Sequence, residues 1–230
     1  MKRRLARTHD PRGLPAYTIS EAAHYLSVPA ATIRYWSLGR DGYKPLIKAA
    51  AKSPTLLSFF NLAELHVLAA IRRKHEVKMR SIREAIRYLG KHAKRPADKR
   101  HPLISRDLET DGLDLFTEQY GQLVNISRAG QTAMRDVISA ALRRIDRDPQ
   151  GIPIKLYPFT RAAMDDAPAM VVIDPALSAG RPVIAGTGLA TQVIAERYKA
   201  GESVRDLARD YERKAAEIEE AIRCELQTAA

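Results

Sequence analysis

Hydrophobic positions recur at helical spacing through most of the chain, beginning between Tyr17 and Trp36. There, two short apolar stripes are separated by Pro29, which cannot donate a hydrogen bond to a preceding helix. Thr18 and Glu21 have the spacing of a capping box, which starts an α-helix. The stretch therefore predicts two short helices around a tight turn. The stripes are Ala22, Ala23 and Leu26, followed by Ile33 and Trp36.

Residues 37–58 interrupt this helical pattern with glycines, prolines, scattered lysines and short apolar pairs. These features are typical of a β-hairpin, and the position after two helices makes it a wing. The cap spacing then recurs at Asn61 and Glu64, which predicts the start of a third helix with an apolar stripe.

A fourth helix is predicted from the same spacing at Ser81 and Glu84, with Gly90 as its end. Its predicted outer face is basic and consists of Arg80, Arg83, Arg87 and Lys91. Residues 91–101 combine basic residues with a proline, which indicates a linker and the first domain boundary.

The middle of the chain shows a weaker pattern. Residues 103–126 favour β-structure, with Asp111-Gly112 as a hairpin turn. Residues 130–147 predict a helix, and a short strand from Ile152 to Tyr157 follows it. The predicted buried face of that helix is Met134, Val137, Ile138, Ala141, Leu142 and Ile145.

The last part of the chain begins with a predicted second linker at 161–169 and a pair of short strands or extended turns. Three helices are predicted after it, with Gly201 at a corner between the first two. Helix, turn and helix in this order again outline a helix-turn-helix. The three helices are expected at Thr191–Lys199, Ser203–Asp210 and Lys214–Gln227.

These patterns predict a mainly α fold with small β elements. Residues 1–100 form a winged helix-turn-helix, residues 101–160 a small α+β connector, and residues 161–230 a helical domain with a helix-turn-helix outline. A length of 230 residues fits one large domain or two to three small ones, and 45% hydrophobic residues suffice for a packed core.

Charge is divided unevenly between these parts. Residues 1–102 carry a net charge of +15 and the remainder −4, which together give the total of +11. A basic unit of this kind favours a polyanion as partner, and double-stranded operator DNA is the expected one. Solubility alone is the alternative explanation for the basic faces. The predicted DNA-binding residues are Thr32, Arg34 and Tyr35 on the second helix and Arg40, Lys44, Lys48 and Lys52 in the wing.

Signals of other functions are weak. The single Cys224 excludes an internal disulfide framework and fits a cytoplasmic protein. The chain has no H-E-x-x-H motif, no phosphate-binding loop and no nucleophile elbow, so we expect no catalytic residue, no cofactor and no metal. No apolar run approaches the roughly 18–20 residues of a membrane span, and no apolar segment of an export signal follows the basic start.

Three stretches of the N-terminal part follow one another: YTISEAAHYLSVPAATIRYW, LSFFNLAELHVLAAIRRK and MRSIREAIRYL. Together they resemble the winged helix-turn-helix of MerR-type regulators. The resemblance implies that Arg34 and Tyr35 occupy the place of the family's DNA-contacting pair. It also implies that Arg40 and the wing lysines lie against the DNA backbone. A homodimer is expected, because two half-sites raise specificity.

The C-terminal part contains the stretch VVIDPALSAGRPVIAGTGLATQVIAERYKAGESVRDLARDY. It resembles the domain of unknown function 433 (DUF 433), and the resemblance covers about 55 residues. The shared parts are Ile173-Asp174-Pro175, the stretch Gly180 to Thr187, and Gly201-Glu202-Ser203. Chains that join a MerR-like reader to this domain resemble the longer VapB-class antitoxins. The resemblance implies a PIN-type ribonuclease toxin as partner.

The closing helix has an apolar stripe beside acidic residues. Packing within its own domain is one interpretation of the stripe, and docking on a basic toxin is the other. The candidate toxin-binding residues are Ile218, Ile222, Leu226, Glu219 and Glu220. The prediction is a non-enzymatic antitoxin that represses its own operon. The alternative is a stand-alone regulator whose C-terminal domain binds an effector or a partner.

Overall fold

The computed structural model describes residues 10–40, 42–74, 78–109, 111–125, 127–161 and 167–226. Helices α1 (Ile19–Leu26) and α2 (Ala30–Leu38) lie where the pattern predicts them. The Glu21 amide donates to Thr18 Oγ1 over 3.1 Å, and the Thr18 amide donates to the Glu21 carboxylate over 2.8 Å. The capping box is therefore formed. Ile33 and Trp36 are fully buried, which confirms the inward face of α2.

The predicted wing is present as a small hairpin. Strand β1 (Ala51–Lys52) pairs antiparallel with β2 (Thr55–Leu56). Leu57, directly after the hairpin, exchanges backbone hydrogen bonds with Tyr17. This bridge attaches the wing to the segment that leads into α1.

Helix α3 (Phe59–Lys74) begins before the predicted start, because Ser58 and Asn61 cap it reciprocally. The Ser58 amide donates to Asn61 Oδ1, and the Asn61 amide donates to Ser58 Oγ, both over 3.1 Å. Glu64 is thus a residue of the helix interior. Its side chain is buried and lies 2.9 Å from His101 Nδ1.

Two further boundaries differ from the prediction. Helix α4 (Met79–His92) begins before Ser81, which is buried within it, and continues through Gly90. The predicted linker at 91–101 contains a fifth helix, α5 (Pro96–Arg100). Asp98 of α5 is buried and accepts a hydrogen bond from the Arg95 guanidinium over 2.6 Å, so this segment packs on the protein.

The β-structure predicted for residues 103–126 is wrong. Short 3-10 turns at Pro102–Ile104 and Arg106–Glu109 lead into α6 (Asp111–Val124). Gly112 does not form a hairpin turn. A Cβ atom at Gly112 would lie 2.7 Å from the Asp107 carbonyl oxygen, so a close backbone contact requires the glycine.

Helix α7 (Arg128–Leu142) has the predicted buried face up to Leu142. Ile145, predicted as part of that helix, lies instead in strand β3 (Ile145–Arg147) and is buried there. The predicted strand near Ile152 is β4 (Pro153–Leu156).

The β5 (Val171–Ile173) and β6 (Pro182–Ile184) strands complete a four-stranded antiparallel sheet in the order β3-β4-β5-β6. Leu156 and Ile173 are partners in this sheet, which therefore joins the middle segment to the C-terminal segment. Most of the predicted second linker, residues 162–166, lies outside the described residues.

The C-terminal helices follow the prediction closely: α8 (Thr191–Lys199), α9 (Val204–Asp210) and α10 (Ala215–Leu226). Their apolar faces form a small core with Ile184 of β6. A larger core extends from Tyr17 to Ile173 and includes buried residues on both sides of residue 100. The helix-turn-helix therefore packs directly on the middle segment. Within the described ranges, no helix has the length and apolar character needed to cross a membrane.

Candidate DNA-binding surface

Helix α2 presents the predicted recognition residues in different degrees. Arg34 is exposed, whereas Thr32 and Tyr35 are half-buried. Within the described part of the chain, Arg34 forms no ion pair. An exposed arginine beside the small residues Ala30 and Ala31 can approach base edges or phosphates of a duplex.

Tyr35 belongs to a cluster of rings and guanidinium groups at the end of α2. The Arg40 guanidinium carbon lies 5.0 Å from the Tyr35 ring centroid and 5.4 Å from that of Tyr43. Gly39 allows this turn, because at φ +79° a Cβ atom would lie 2.3 Å from the Tyr43 carbonyl oxygen. Tyr43 remains 47% exposed, so both the ring and the cation beside it face solvent.

Arg83 of α4 contacts this cluster, a role that sequence reasoning did not assign to it. Its guanidinium donates to the Lys44 carbonyl oxygen and lies 3.5 Å from Tyr35 Oη. It also lies 6.0 Å from the Tyr43 ring centroid. Arg83 therefore connects α4 to both the recognition helix and the turn before the wing.

Residues 44–52, which lead into the wing hairpin and form its first strand, add three cations to this surface. Lys44, Lys48 and Lys52 are exposed, and the described residues offer none of them an ion-pair partner. Arg87 and Lys91 on the outer face of α4 are exposed as well. We name the set Arg34, Tyr35, Arg40, Lys44, Lys48 and Lys52 the reader surface.

The second helix-turn-helix outline, α8 to α10, has a different electrostatic character. The Arg197 guanidinium bonds to Glu202 and lies 2.7 Å from Asp210, and these contacts, with a hydrogen bond to Tyr211, raise its pKa above the usual range. Arg209 pairs with Asp206 over 2.9 Å. Two of its cations are thus neutralised internally.

The two outlines are joined through α1. Tyr17 Oη donates to the Gly180 carbonyl over 3.1 Å, and Arg181 bonds to Glu21 and to Tyr25 Oη. Gly180 has φ +76°, and a Cβ atom there would lie 2.4 Å from Tyr17 Oη, so this contact requires glycine. Gly180 and Arg181 belong to the DUF 433-like motif, and in this chain they form part of an intramolecular interface.

The candidate toxin-binding residues of α10 are divided between the core and the surface. Ile218 and Ile222 are buried against α8, and Glu220 is 1% exposed and bonds to Thr160 and Arg161. The inward stripe therefore packs within its own domain. Glu219 is exposed and Leu226 is 42% exposed, so these two residues remain accessible. Toxin binding by these residues stays a prediction.

Comparison with known proteins agrees with this architecture. The family described as "Putative DNA-binding HTH domain" matches residues 15–86, and "Protein of unknown function (DUF433)" matches residues 171–223. The chain is thus a helix-turn-helix protein with a C-terminal DUF433 domain.

Two relatives from Mycobacterium tuberculosis align along most of the chain. "Putative antitoxin VapB45" is 30% identical over 228 residues, covering 86% of this chain and 88% of the relative. "Uncharacterized protein Rv2308" is 25% identical over 216 residues, covering 90% and 88%. The crystal structure of Rv2018 from the same organism superimposes with a TM-score of 0.67 at 26% identity, covering 91% of this chain and 98% of that one. The chain therefore belongs to the family of the putative antitoxin VapB45.

Proposed function

We propose that this protein is an antitoxin that represses its own operon through the reader surface and silences a PIN-type ribonuclease through its C-terminal part. It acts as a homodimer in the cytoplasm and catalyses no reaction. The observation that carries the proposal is the position of exposed cations without ion-pair partners, among the described residues, on a helix-turn-helix of an antitoxin-related chain.

The geometry supports DNA as the partner of the N-terminal part. Arg34 and the three wing lysines are accessible, and phosphate contacts by such side chains position a reader on its duplex. Arg83 fixes Tyr35 and the Lys44 backbone, so that the reader surface is ordered before DNA arrives. Binding then loses less side-chain entropy.

The toxin partner is supported by relatedness to a protein named as an antitoxin and by the resemblance to VapB-class chains. The accessible side chains of the C-terminal helices suggest where it binds. Val193, Tyr198 and Leu226 are each at least 40% exposed, and Glu219 adds an acidic group on α10. Exposed apolar and acidic side chains of this kind suit a basic RNA-binding groove.

Co-expression with the product of the neighbouring gene, followed by pull-down and a ribonuclease assay, tests the proposal. The expected result is a complex in which nuclease activity is lost and returns when Val193→Asp and Leu226→Asp are introduced together. The matched control is Leu14→Asp, an equally exposed apolar residue in the N-terminal part. A neighbour that is not a nuclease, or that stays active in the mixture, contradicts the antitoxin role.

A stand-alone transcriptional regulator is the second candidate. The contact of Arg181 with Glu21 favours it, because an event in the C-terminal part could reach α1 through this ion pair. Gene context separates the two candidates. A short nuclease-like reading frame next to this gene supports the antitoxin, and its absence supports the regulator.

A further inference from the structure

A cleft of about 640 Å³ lies where the N-terminal helices meet the middle segment. Its walls come from residues 10–14, from the segment 48–61 around the wing, from the α5 region at 95–104, and from the turn at 150–153. This volume is within the range of roughly 300–1,000 Å³ that is typical of pockets for small organic molecules.

Hydrogen bonds hold these walls together. The Arg12 guanidinium lies 3.0 Å from Asp148, and the Arg95 guanidinium donates to the Gln150 carbonyl over 3.1 Å. Asn61 Nδ2 donates to the Lys48 carbonyl over 3.1 Å. Because two of these bonds join different walls and the third braces the wall 48–61 internally, the cleft is formed without a ligand, and binding needs little reorganisation.

The cleft carries an excess of positive charge. Its two carboxylates are occupied, since Asp10 lies 2.8 Å from Arg12 and Asp98 lies 2.6 Å from Arg95. Lys48 and Arg100 also line it. Neither forms an ion pair with any residue in the described ranges, so both cations remain available to a ligand.

The rest of the lining is largely apolar. Leu14, Phe60, Ile104 and Ile152 are among the residues that line it. The Phe60 ring centroid lies 5.3 Å from that of His101, so two ring systems from adjoining walls lie side by side. Such a pair of rings can pack against an aromatic molecule.

We infer that this cleft binds a small organic anion with an aromatic or otherwise apolar body. The anionic group lies near Lys48 and Arg100, and the apolar body contacts Phe60 and Ile152. A nucleotide fits less well, because the sequence contains no glycine-rich phosphate-binding loop to neutralise several phosphates. The inference about the cleft itself does not depend on DNA binding.

One consequence does rest on the proposed function. Lys48 belongs to the reader surface and also lines the cleft. A bound anion would pair with this lysine and remove it from the DNA backbone. The ligand would thus weaken DNA binding, mainly through electrostatics.

Fluorescence titration of the full chain with 1-anilinonaphthalene-8-sulfonate tests the cleft directly. This probe has an aromatic body and one negative charge. Saturable binding to one site is expected, and Lys48→Ala with Arg100→Ala should weaken it about tenfold, because two ion pairs at a partly exposed site are lost. Ala97→Trp, which fills the cleft from α5, should abolish the signal.

The matched control is Arg87→Ala with Lys91→Ala, which removes the same charge from exposed positions outside the cleft. It should leave the titration unchanged. The uncharged analogue N-phenyl-1-naphthylamine should bind the native chain and the Lys48/Arg100 variant equally. Absence of saturable binding, or equal weakening by both double variants, would overturn the inference. If the probe binds as expected but the chain binds no DNA, only the proposed function fails.

Discussion

The chain contains two helix-turn-helix outlines whose cations differ in their surroundings. In α1 and α2, Arg34 is exposed, and the nearby Lys44 is exposed as well, with no acidic partner in the described ranges. In α8 to α10, Arg197 lies between Glu202 and Asp210, and Arg209 pairs with Asp206. Two cations of the second outline are thus already paired, and this outline lies in the part of the chain with a net charge of −4, whereas the first outline lies in the part with +15.

A helix-turn-helix outline alone therefore does not identify a DNA-binding surface. A cation that is already paired must lose its partner before it can bind a phosphate, and this exchange cancels much of the gain. Among the residues that the structure describes, the cations of the reader surface have no such partner to lose. We therefore expect DNA to bind the first outline much more tightly than the second.

The largest effect is expected for Ile218. Comparing this residue with its neighbour Glu219 distinguishes the buried core of the second outline from its exposed candidate partner surface. Ile218→Ala removes a fully buried side chain and should lower the free energy of unfolding by about 3 kcal/mol. Glu219→Ala, one position further on the exposed face, should change it by less than about 0.5 kcal/mol. Urea unfolding measures both. Equal effects would contradict the assignment of Ile218 to the core.

The next effect compares matched pairs on the two outlines. Arg34→Ala with Tyr35→Ala should weaken binding to a duplex carrying the promoter of this gene by about a hundredfold, because two reader contacts are lost. Arg205→Ala with Tyr198→Ala removes the same side-chain types from exposed positions of the second outline. Fluorescence anisotropy should detect no change for that pair. Equal losses in the two variants would remove the distinction between the outlines.

A pH effect distinguishes the two cores. Burial lowers the pKa of His66 to about 3, whereas an unfolded histidine titrates near about 6.5. Below that pH the unfolded chain binds a proton that the folded chain does not, so stability falls as the pH drops. Because of His66, the free energy of unfolding should therefore decrease by about 2 kcal/mol when the pH is lowered from about 7 to about 5.

His66→Gln should remove this acid sensitivity, measured as the difference between native and variant unfolding curves. The apolar residues of the small C-terminal core do not titrate and should not contribute to that difference. A variant with the same pH dependence as the native chain would contradict the neutral, buried state of His66.

The smallest effect concerns Arg83, which positions the reader surface from α4. Arg83→Ala should weaken promoter binding about fivefold, because Tyr35 and the Lys44 backbone lose a shared hydrogen-bond donor. Arg87→Ala on the same helix is the control and should weaken binding less. Arg83→Lys keeps the charge but not the planar fork, so only partial recovery is expected. Full recovery with lysine would show that Arg83 acts through its charge alone.

The parts of this fold that sequence predicts are those determined locally. Thr18 and Glu21 are three residues apart and satisfy each other, so the start of α1 can be read directly. The hairpin turn predicted at Gly112 is wrong. The glycine is required by a close contact with the Asp107 backbone, which no turn motif encodes.

The candidate site shows the same division. Arg34 and the wing lysines follow from helix periodicity and charge. The contact of Arg83 with Tyr35 joins residues 48 positions apart, and only the tertiary structure brings them together. The sequence predicts Glu220 as part of an acidic surface, but the residue is buried against Thr160 and Arg161.

The salt dependence of promoter binding measures how many phosphate contacts the lysines of the reader surface make. Lys44, Lys48 and Lys52 should be replaced together by alanine, and Arg205, Arg209 and Lys214 likewise in a matched control. The slope of log affinity against log salt should become less negative by about 0.9 for each lost phosphate contact, about two to three units in all, in the wing variant only. An unchanged slope in the wing variant, or an equal change in the control, would show that these lysines do not contact the DNA backbone.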